Sequence, residues 1–245
     1  MKRLFRRLRG WLRRECERVR TVRRLASMAS KYGEAEVLWI VDCVAGQYGH
    51  AESRTLGVPV DAAGAPLPWY TYGAIEYLEG LDFSQKSIFE YGSGQSSRYW
   101  AKRSRRLVSV ESDPAWYKVG LAHLAQNQEL ILETEKEKYV GSSVRRNEAF
   151  DVVVIDGGWR RECAEVIQST LAEDGVIILD NSDWWPTTSE TLREMGFLQV
   201  DFAGMGPVNP YCWTTSMFFS RKAAPIPRTD RQPAVPIGGL RQVAE

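Results

Sequence analysis

Acidic or amide side chains follow four apolar, strand-like runs of this 245-residue sequence. Carboxylate oxygens can hold the hydroxyl groups of a ligand, attract a cation or bind a hard metal ion. Because the carboxyl ends of parallel strands meet at one edge of a sheet, we expect these side chains to form one site. The residues are Glu90, Glu111, Asp156, Asp180 and Asn181.

The segment after the first of these runs contains two closely spaced glycines, Gly92 and Gly94. A glycine has no Cβ, so it lets the backbone turn tightly and approach a ligand. Glu111 follows roughly 20 residues later, where an acid suits the two hydroxyls of a ribose. The glycine loop alone does not separate a dinucleotide from other adenosine cofactors. Glu90 favours the latter, because its charge would repel a pyrophosphate and attract a sulfonium or ammonium group.

Strand-like and helical patterns alternate along the middle of the chain. The apolar, β-branched runs predict strands in a parallel sheet that helices cover on both faces. Two final strands are joined by a loop rich in Gly, Pro and Asn without a helix, which predicts an antiparallel pair. The expected fold class is α/β: a doubly wound, mostly parallel seven-stranded sheet with a C-terminal antiparallel strand pair and helices on both faces. Strands are expected at 87–91, 106–111, 129–133, 150–156, 175–181, 196–202 and 214–220, and helices at 34–48, 72–80, 96–104 and 160–172.

Composition divides the chain into three parts. We expect a basic amphipathic helix at 1–33, a single Rossmann-like domain at 34–222 and a disordered, Pro-rich tail at 223–245. The overall net charge of +1 hides a difference between these parts. Residues 1–31 contain twelve basic and two acidic residues and so carry +10, while the remainder carries −9.

The basic helix at the N-terminus can bind an anionic membrane surface, a protein partner or nucleic acid, and the alternative is a solvated arm without a partner. Nucleic acid is the least favoured of the three, because the acidic remainder of the chain would repel it. None of the apolar runs approaches the ~18 residues that a membrane-spanning helix needs. Four cysteines without a CxxC pair fit a reducing compartment. The sequence therefore predicts a cytoplasmic protein that residues 1–31 attach to a membrane or a partner.

Residues 70–220 resemble the class I S-adenosylmethionine-dependent methyltransferases. The segment Glu90-Tyr91-Gly92-Ser93-Gly94 is similar to the acid-x-Gly-x-Gly motif of that family, and Glu111 is similar to its ribose-binding acid. The final strand pair also looks like the family's sheet, while Ser96-Ser97 replaces a third glycine that is often found there. The resemblance implies that S-adenosylmethionine is bound by Glu90, Gly92, Ser93, Gly94, Ser96, Glu111 and Asp156.

Asp156, Asp180 and Asn181 form a hard-oxygen set that suits Mg²⁺. The set is similar to the one in metal-dependent catechol and caffeoyl-CoA O-methyltransferases, and this likeness implies a catalytic role for all three residues. A metal ion would orient an acceptor hydroxyl and lower its pKa. Arg160 stands near the position of a lysine in those enzymes, and arginine is a poor base. The alternative is that Asp156 caps a helix and that Asp180-Asn181 shapes a turn.

Aromatic residues and one arginine near the same edge are candidates for binding an acceptor. They are Tyr72, Arg160, Trp184 and Trp185, with Trp69 and Tyr70 beside them. The sequence thus predicts a methyltransferase that acts on an oxygen of a small molecule or a glycan. Three alternatives stay open: a nucleic-acid methyltransferase that uses the basic N-terminal arm, a non-catalytic nucleotide-binding module of the same fold, and an NAD-dependent oxidoreductase.

Overall fold

The computed structural model describes residues 19–230 and 233–240. Seven strands form one sheet: β1 Ser87–Tyr91, β2 Arg106–Glu111, β3 Gln128–Leu132, β4 Phe150–Ile155, β5 Leu171–Leu179, β6 Leu198–Gly204 and β7 Trp213–Phe219. Their order across the sheet is β3-β2-β1-β4-β5-β7-β6. Strands β1 to β5 are parallel, and β7 is antiparallel to both β5 and β6. The predicted fold class is confirmed.

Helices connect the parallel strands and precede the sheet. They are α1 Glu34–Val41, α2 His50–Leu56, α3 Tyr72–Glu79, α4 Gln95–Arg103, α5 Pro114–Leu121, α6 Lys136–Val140, α7 Arg160–Val166 and α8 Pro186–Glu194. A π-helical turn, Asp42–Gln47, extends α1. Short 3-10 turns lie at Val144–Arg146, Ile167–Ser169 and Ser182–Trp184.

Most predicted boundaries agree with the structure within two residues, but β5 begins earlier than expected. The helix predicted over 160–172 ends at Val166, and strand pairing begins at Leu171 rather than at 175. Phe150 is the cause, because its N–H bonds the Thr170 carbonyl at 2.8 Å and its Cα pairs with Leu171. Tertiary pairing with β4 overrides the local helical pattern here.

Two hydrophobic cores cover the opposite faces of the sheet, because successive strand residues point to opposite sides. Ile88 packs on one face with helices α3 and α4, and its neighbour Phe89 packs on the other face with α7. The first core includes Tyr70, Leu78, Trp100, Leu107 and Met217, and the second includes Tyr91, Tyr139, Phe150, Ile167 and Phe218. The carboxyl edge of the sheet is thereby held between two packed layers.

The N-terminal segment is described only from residue 19 onwards. Residues 19–32 are helical and lead into α1 through Gly33. The first part of the predicted basic helix, residues 1–18, lies outside the described residues. None of the helices that the structure describes is long and apolar enough to cross a membrane.

The C-terminal segment was expected to be disordered from residue 223 onwards, but its described part is bonded to the domain. The Asp82 N–H donates to the Ile226 carbonyl at 2.8 Å, and the Arg228 N–H donates to the Gly80 carbonyl at 2.9 Å. Farther along, the Ile237 N–H donates to a carboxylate oxygen of α3 at 2.7 Å. These hydrogen bonds join the described part of the C-terminal segment to α3 and to the turn that follows it.

Candidate active site

A cavity of about 590 Å³ opens at the carboxyl edge of the sheet, where β1, β2, β4 and β5 end. The structure brings most of the predicted site residues to this one cavity. Those that line it are Gly92, Ser93, Gly94, Ser96, Glu111, Asp156, Asp180, Asn181 and Trp184. Such a volume is typical of small-molecule sites.

The two glycines of the β1 loop meet different surroundings. Gly92 has φ 105, and a Cβ there would lie 3.2 Å from the Asp156 carbonyl oxygen. The loop after β4 therefore requires a glycine at this position. A Cβ on Gly94 would meet no protein atom within 4 Å, although Gly94 lines the cavity. The space in front of Gly94 is thus left for a ligand to approach the backbone.

Glu90 lies beneath the glycine loop and does not line the cavity. Its carboxylate is fully buried and accepts hydrogen bonds from three serine hydroxyls: Ser96 and Ser97, each at 2.5 Å, and Ser109 at 2.8 Å. Burial raises the pKa of Glu90 to about 7, although the three hydroxyls act in the opposite direction. The predicted contact of Glu90 with a cationic ligand is corrected to a positioning role, because both oxygens hold the start of α4.

The serines that replace a third glycine have a structural reason to be there. Ser96 and Ser97 occupy the first turn of α4, where free backbone N–H groups favour a nearby carboxylate. The Ser97 hydroxyl also accepts a hydrogen bond from the Gly94 N–H at 3.1 Å. These two hydroxyls therefore fix the loop to the buried acid.

Glu111 ties the β1 loop to the β2 loop. One oxygen, Oε2, accepts from the Ser93 N–H and the Ser93 hydroxyl, both at 2.9 Å. The other, Oε1, accepts from the backbone N–H groups of Ser112 at 2.7 Å and Asp113 at 2.9 Å. A carboxylate has about four acceptor positions, so a ribose hydroxyl would replace the rotatable Ser93 hydroxyl.

Arg160 joins the loops that follow β4 and β5. Its guanidinium donates to the Asp156 carboxylate at 3.0 Å and to the Gly157 carbonyl at 3.1 Å. It also donates to the Asp180 carbonyl at 2.5 Å and to the Asn181 side-chain oxygen at 3.2 Å. Only 12% of the side chain is exposed. Arg160 is therefore a clamp between two loops, and its predicted role as a free acceptor-binding group is corrected.

The same contacts decide the fit of the predicted Mg²⁺ site. The side-chain oxygens of Asp156 and Asn181 both accept from Arg160, so a guanidinium stands where the metal was expected. Among residues 19–230 and 233–240 there is also no group of three or more His, Cys, Asp or Glu residues with metal-binding geometry. The donor set does not fit a divalent cation. Asn181 shapes a turn, as the alternative predicted, with φ 49.

Asp180 is a buried carboxyl group that lines the cavity and has its side-chain hydrogen bonds on one oxygen. Its Oδ1 accepts from the Thr215 hydroxyl at 2.6 Å and from the Trp213 indole N–H at 3.0 Å. None of these bonds involves Oδ2, and Asp180 lines the cavity. Burial, together with the charge of Asp156, raises the pKa of the Asp180 carboxyl well above its ordinary value. Burial raises the pKa of Asp156 too, although Arg160 opposes that change.

Aromatic side chains form part of the cavity wall. Trp69, Trp184 and Tyr211 line it, and the Trp184 and Tyr211 ring centroids are 6.3 Å apart. The Trp69 indole N–H is buried and has no hydrogen-bond partner in the described chain. This wall therefore offers flat apolar surface to a ligand.

Three predicted acceptor residues lie elsewhere. Tyr72 is buried against Tyr48, with ring centroids 4.3 Å apart, and faces a separate cavity. Tyr70 is fully buried in the first core. Trp185 does not line the active-site cavity, and its ring lies 5.7 Å from the Arg160 guanidinium carbon. Packing explains Tyr70 and Tyr72, whereas Trp185 is exposed beside Arg160.

Sequence reasoning missed the residues that the β6–β7 loop and the α2–α3 loop bring to the cavity. They are Gly57, Val58 and Pro59 of the α2–α3 loop and Asn209 and Tyr211 of the β6–β7 loop. Three more lining residues were missed as well: Gln95 of α4, Trp116 of α5 and Gly157 after β4. The β6–β7 loop is held against α2, because His50 Nδ1 lies 3.1 Å from the Gly206 carbonyl oxygen and Arg54 donates to the Val208 carbonyl at 3.1 Å. The sequence signal for these residues was the Gly, Pro and Asn content of the β6–β7 loop, which lies at the carboxyl edge of the sheet.

No protein-family model matches the sequence, and no curated protein matches it. Among solved structures, the chain is similar to precorrin-6y C5,15-methyltransferase from Geobacter metallireducens GS-15, with 15% identity and a TM-score of 0.47 over 60% of this chain and 86% of that one. It is also similar to precorrin 8W decarboxylase from Methanobacterium thermoautotrophicum, with 17% identity and a TM-score of 0.46 over 66% and 96%. N-methyltransferase NodS from Bradyrhizobium japonicum WM9 gives 14% identity and a TM-score of 0.44 over 59% and 90%. The Rossmann-like assignment rests on the chain's own strand order and pairing.

Proposed function

We propose that this protein is an S-adenosylmethionine-dependent methyltransferase that acts on an oxygen of a small molecule or a glycan. The observation that carries the proposal is that one cavity combines a donor half with an acceptor half. The β1 glycine loop and Glu111 line the first half, and Asp180 with the aromatic wall lines the second. A nucleotide-binding module without chemistry would not need a partly free carboxyl oxygen in the same space.

The donor half suits a nucleoside with a positively charged sulfur. Gly92 and Gly94 let the backbone approach the ligand, and Glu111 receives ribose hydroxyls once the Ser93 hydroxyl turns away. Asp156 and Asp180 line the cavity, and burial raises the pKa of both carboxyl groups, so a bound cation would stabilise their ionised forms. When bound, S-adenosylmethionine supplies an activated methyl group.

The acceptor half suits a hydroxyl group on a ring. Asp180 Oδ2 can accept the hydrogen of an acceptor hydroxyl. Flat faces of Trp184 and Tyr211 fit a sugar or an aromatic ring. Holding the acceptor oxygen in line with the methyl group can supply much of the rate. Asp180, in its ionised form, would receive the hydroxyl proton when the bound S-adenosylmethionine supplies its methyl group to the acceptor oxygen.

Calorimetric titration with S-adenosylhomocysteine tests the donor site directly. The Gly94→Ala variant places a methyl group in the ligand's space, so we expect binding to weaken at least about tenfold. The matched control is Gly73→Ala, whose added Cβ would make an ordinary 3.8 Å contact with Phe202. We expect the control to bind as the wild type does, with both variants melting near the wild-type temperature.

Two results would contradict the proposal. Equal S-adenosylhomocysteine affinity in the wild type and Gly94→Ala would remove the donor site from this loop. A preference of about tenfold or more for NAD over S-adenosylhomocysteine would favour an oxidoreductase.

The cytoplasmic location and the attachment of residues 1–31 to a membrane or a partner stay predictions.

A further inference from the structure

The N-terminal surface, defined as helical residues 19–32 together with α1, exposes many large apolar side chains. Between 45% and 68% of each of these side chains is accessible to solvent. They are Val19, Val22, Leu25, Met28, Tyr32, Leu38, Trp39, Ile40 and Val41. No residue of α1 is buried, so the described chain does not cover this surface.

Residues 19–32 have two distinct faces. At 3.6 residues per turn, the apolar residues Val19, Val22, Leu25, Met28 and Tyr32 lie on one side of the helix. The segment also contains four basic residues and no acidic residue. The basic residues lie on the other side of the helix. The basic residues are Arg20, Arg23, Arg24 and Lys31, all of them exposed. An apolar face backed by a basic face is the pattern of helices that lie in a membrane interface.

Charge and apolar surface together decide the occupant. A second copy would bring two basic helices together, and nucleic acid would leave the apolar face in water. An anionic bilayer offers acidic headgroups to the basic face and acyl chains to the apolar face. Tyr32 and Trp39 are amphipathic rings of the kind that favour the headgroup level.

We propose that the N-terminal surface docks the protein on an anionic lipid bilayer, with helix 19–32 lying in the plane of the interface. The negative charge of the remaining chain would be repelled by such a surface, so the helix would hold the domain beside the bilayer rather than flat against it. This inference concerns location and does not depend on the methyl-transfer proposal.

Vesicle co-sedimentation of the full chain tests the docking surface. We expect binding to phosphatidylcholine vesicles that contain about one third phosphatidylglycerol, weak binding to pure phosphatidylcholine, and loss of binding at high salt. Leu25→Asp places a charge on the apolar face, and Ser27→Asp makes the same change of charge among the basic residues. We expect Ser27→Asp to weaken binding about fivefold and Leu25→Asp at least tenfold more than that.

Several outcomes would overturn this inference. They are failure to bind either kind of vesicle, equal binding to both, and equal losses in the two variants. A dimer that Leu25→Asp dissociates, without vesicle binding, would identify a second copy as the occupant instead. Retention on RNA but not on vesicles would identify nucleic acid. Unchanged melting temperatures of both variants establish that the losses arise at the surface and not from unfolding.

Discussion

Two acids at the ends of neighbouring parallel strands have opposite environments. Glu90, near the end of β1, is paired only with neutral hydroxyl groups. Asp156, directly after β4, is paired with the Arg160 guanidinium. Glu90 points under α4, on the face of the sheet where Ser109 of β2 is its partner in register. Asp156 points into the cavity.

The difference shows that acids at one sheet edge can have two roles: Glu90 holds the start of α4, and Asp156 lines the cavity. Hydroxyls leave the charge of Glu90 uncompensated, so burial dominates and the pKa of its carboxyl rises to about 7. At the β4 corner a full positive charge opposes the effect of burial on Asp156. We therefore expect the contribution of Glu90 to stability to depend mainly on pH. The contribution of Asp156 should depend mainly on the positive charge of Arg160.

The largest effect should come from removing the arginine clamp. In Arg160→Met, the half-buried Asp156 carboxylate loses its paired cation, the buried Asp180 carboxyl loses a neighbouring positive charge, and four acceptors lose a donor. We expect the free energy of unfolding to fall by about 4 kcal/mol at pH 8, measured by urea denaturation. The double variant Asp156→Asn/Arg160→Met should recover part of the loss, because one of the unpaired charges is gone.

The adjacent residue Arg161 provides the matched control. Its side chain is 59% exposed and pairs with Glu165 one turn away. Arg161→Met removes the same charge from an open position, so its effect should stay within about 0.5 kcal/mol. Similar losses in Arg160→Met and Arg161→Met would contradict the clamp.

The contrast between Glu90 and Asp156 also marks where sequence reasoning succeeds. The apolar runs determined β1 and β2 to the residue, and the strand ends located Glu111, Asp156 and Asp180 at one cavity. The apolar runs do not predict in which direction a side chain at the end of a strand points. Glu90 was expected to face a ligand, but the helix start above it supplies closer partners.

Arg160 and Tyr211 illustrate two different reasons for a missed contact. Arg160 follows Asp156 by four residues at the start of a helix, so the spacing itself indicated a salt bridge. The resemblance to metal-dependent enzymes instead assigned the Asp156 carboxylate to a metal ion. The position of Tyr211 depends on how the β6–β7 loop packs against α2, through backbone carbonyls that no side-chain pattern reveals.

The second effect should appear in the pH dependence of stability. A carboxyl whose pKa rises from 4.5 to about 7 on folding binds a proton more tightly in the folded state. Its contribution to stability is therefore present below pH 4.5 and is lost as pH rises to 7, by about 3 kcal/mol in total. Glu90→Gln removes this titration, so its free energy of unfolding should fall less than that of the wild type between pH 4.5 and 8. Parallel curves for the two proteins would contradict a buried, uncompensated Glu90.

The smallest effect should distinguish the hydroxyls that hold Glu90. Ser96 is the donor to Oε1, whereas Oε2 accepts from both Ser97 and Ser109. Ser96→Ala should therefore cost about 2 kcal/mol at pH 8, where Glu90 is ionised, and Ser109→Ala about 1 kcal/mol, because Ser97 still serves its oxygen. At pH 5 the carboxyl is protonated, so both costs should shrink toward that of a neutral hydrogen bond. Urea denaturation at the two pH values measures this, and a cost independent of pH would mean that the serines act through packing instead of through the buried charge.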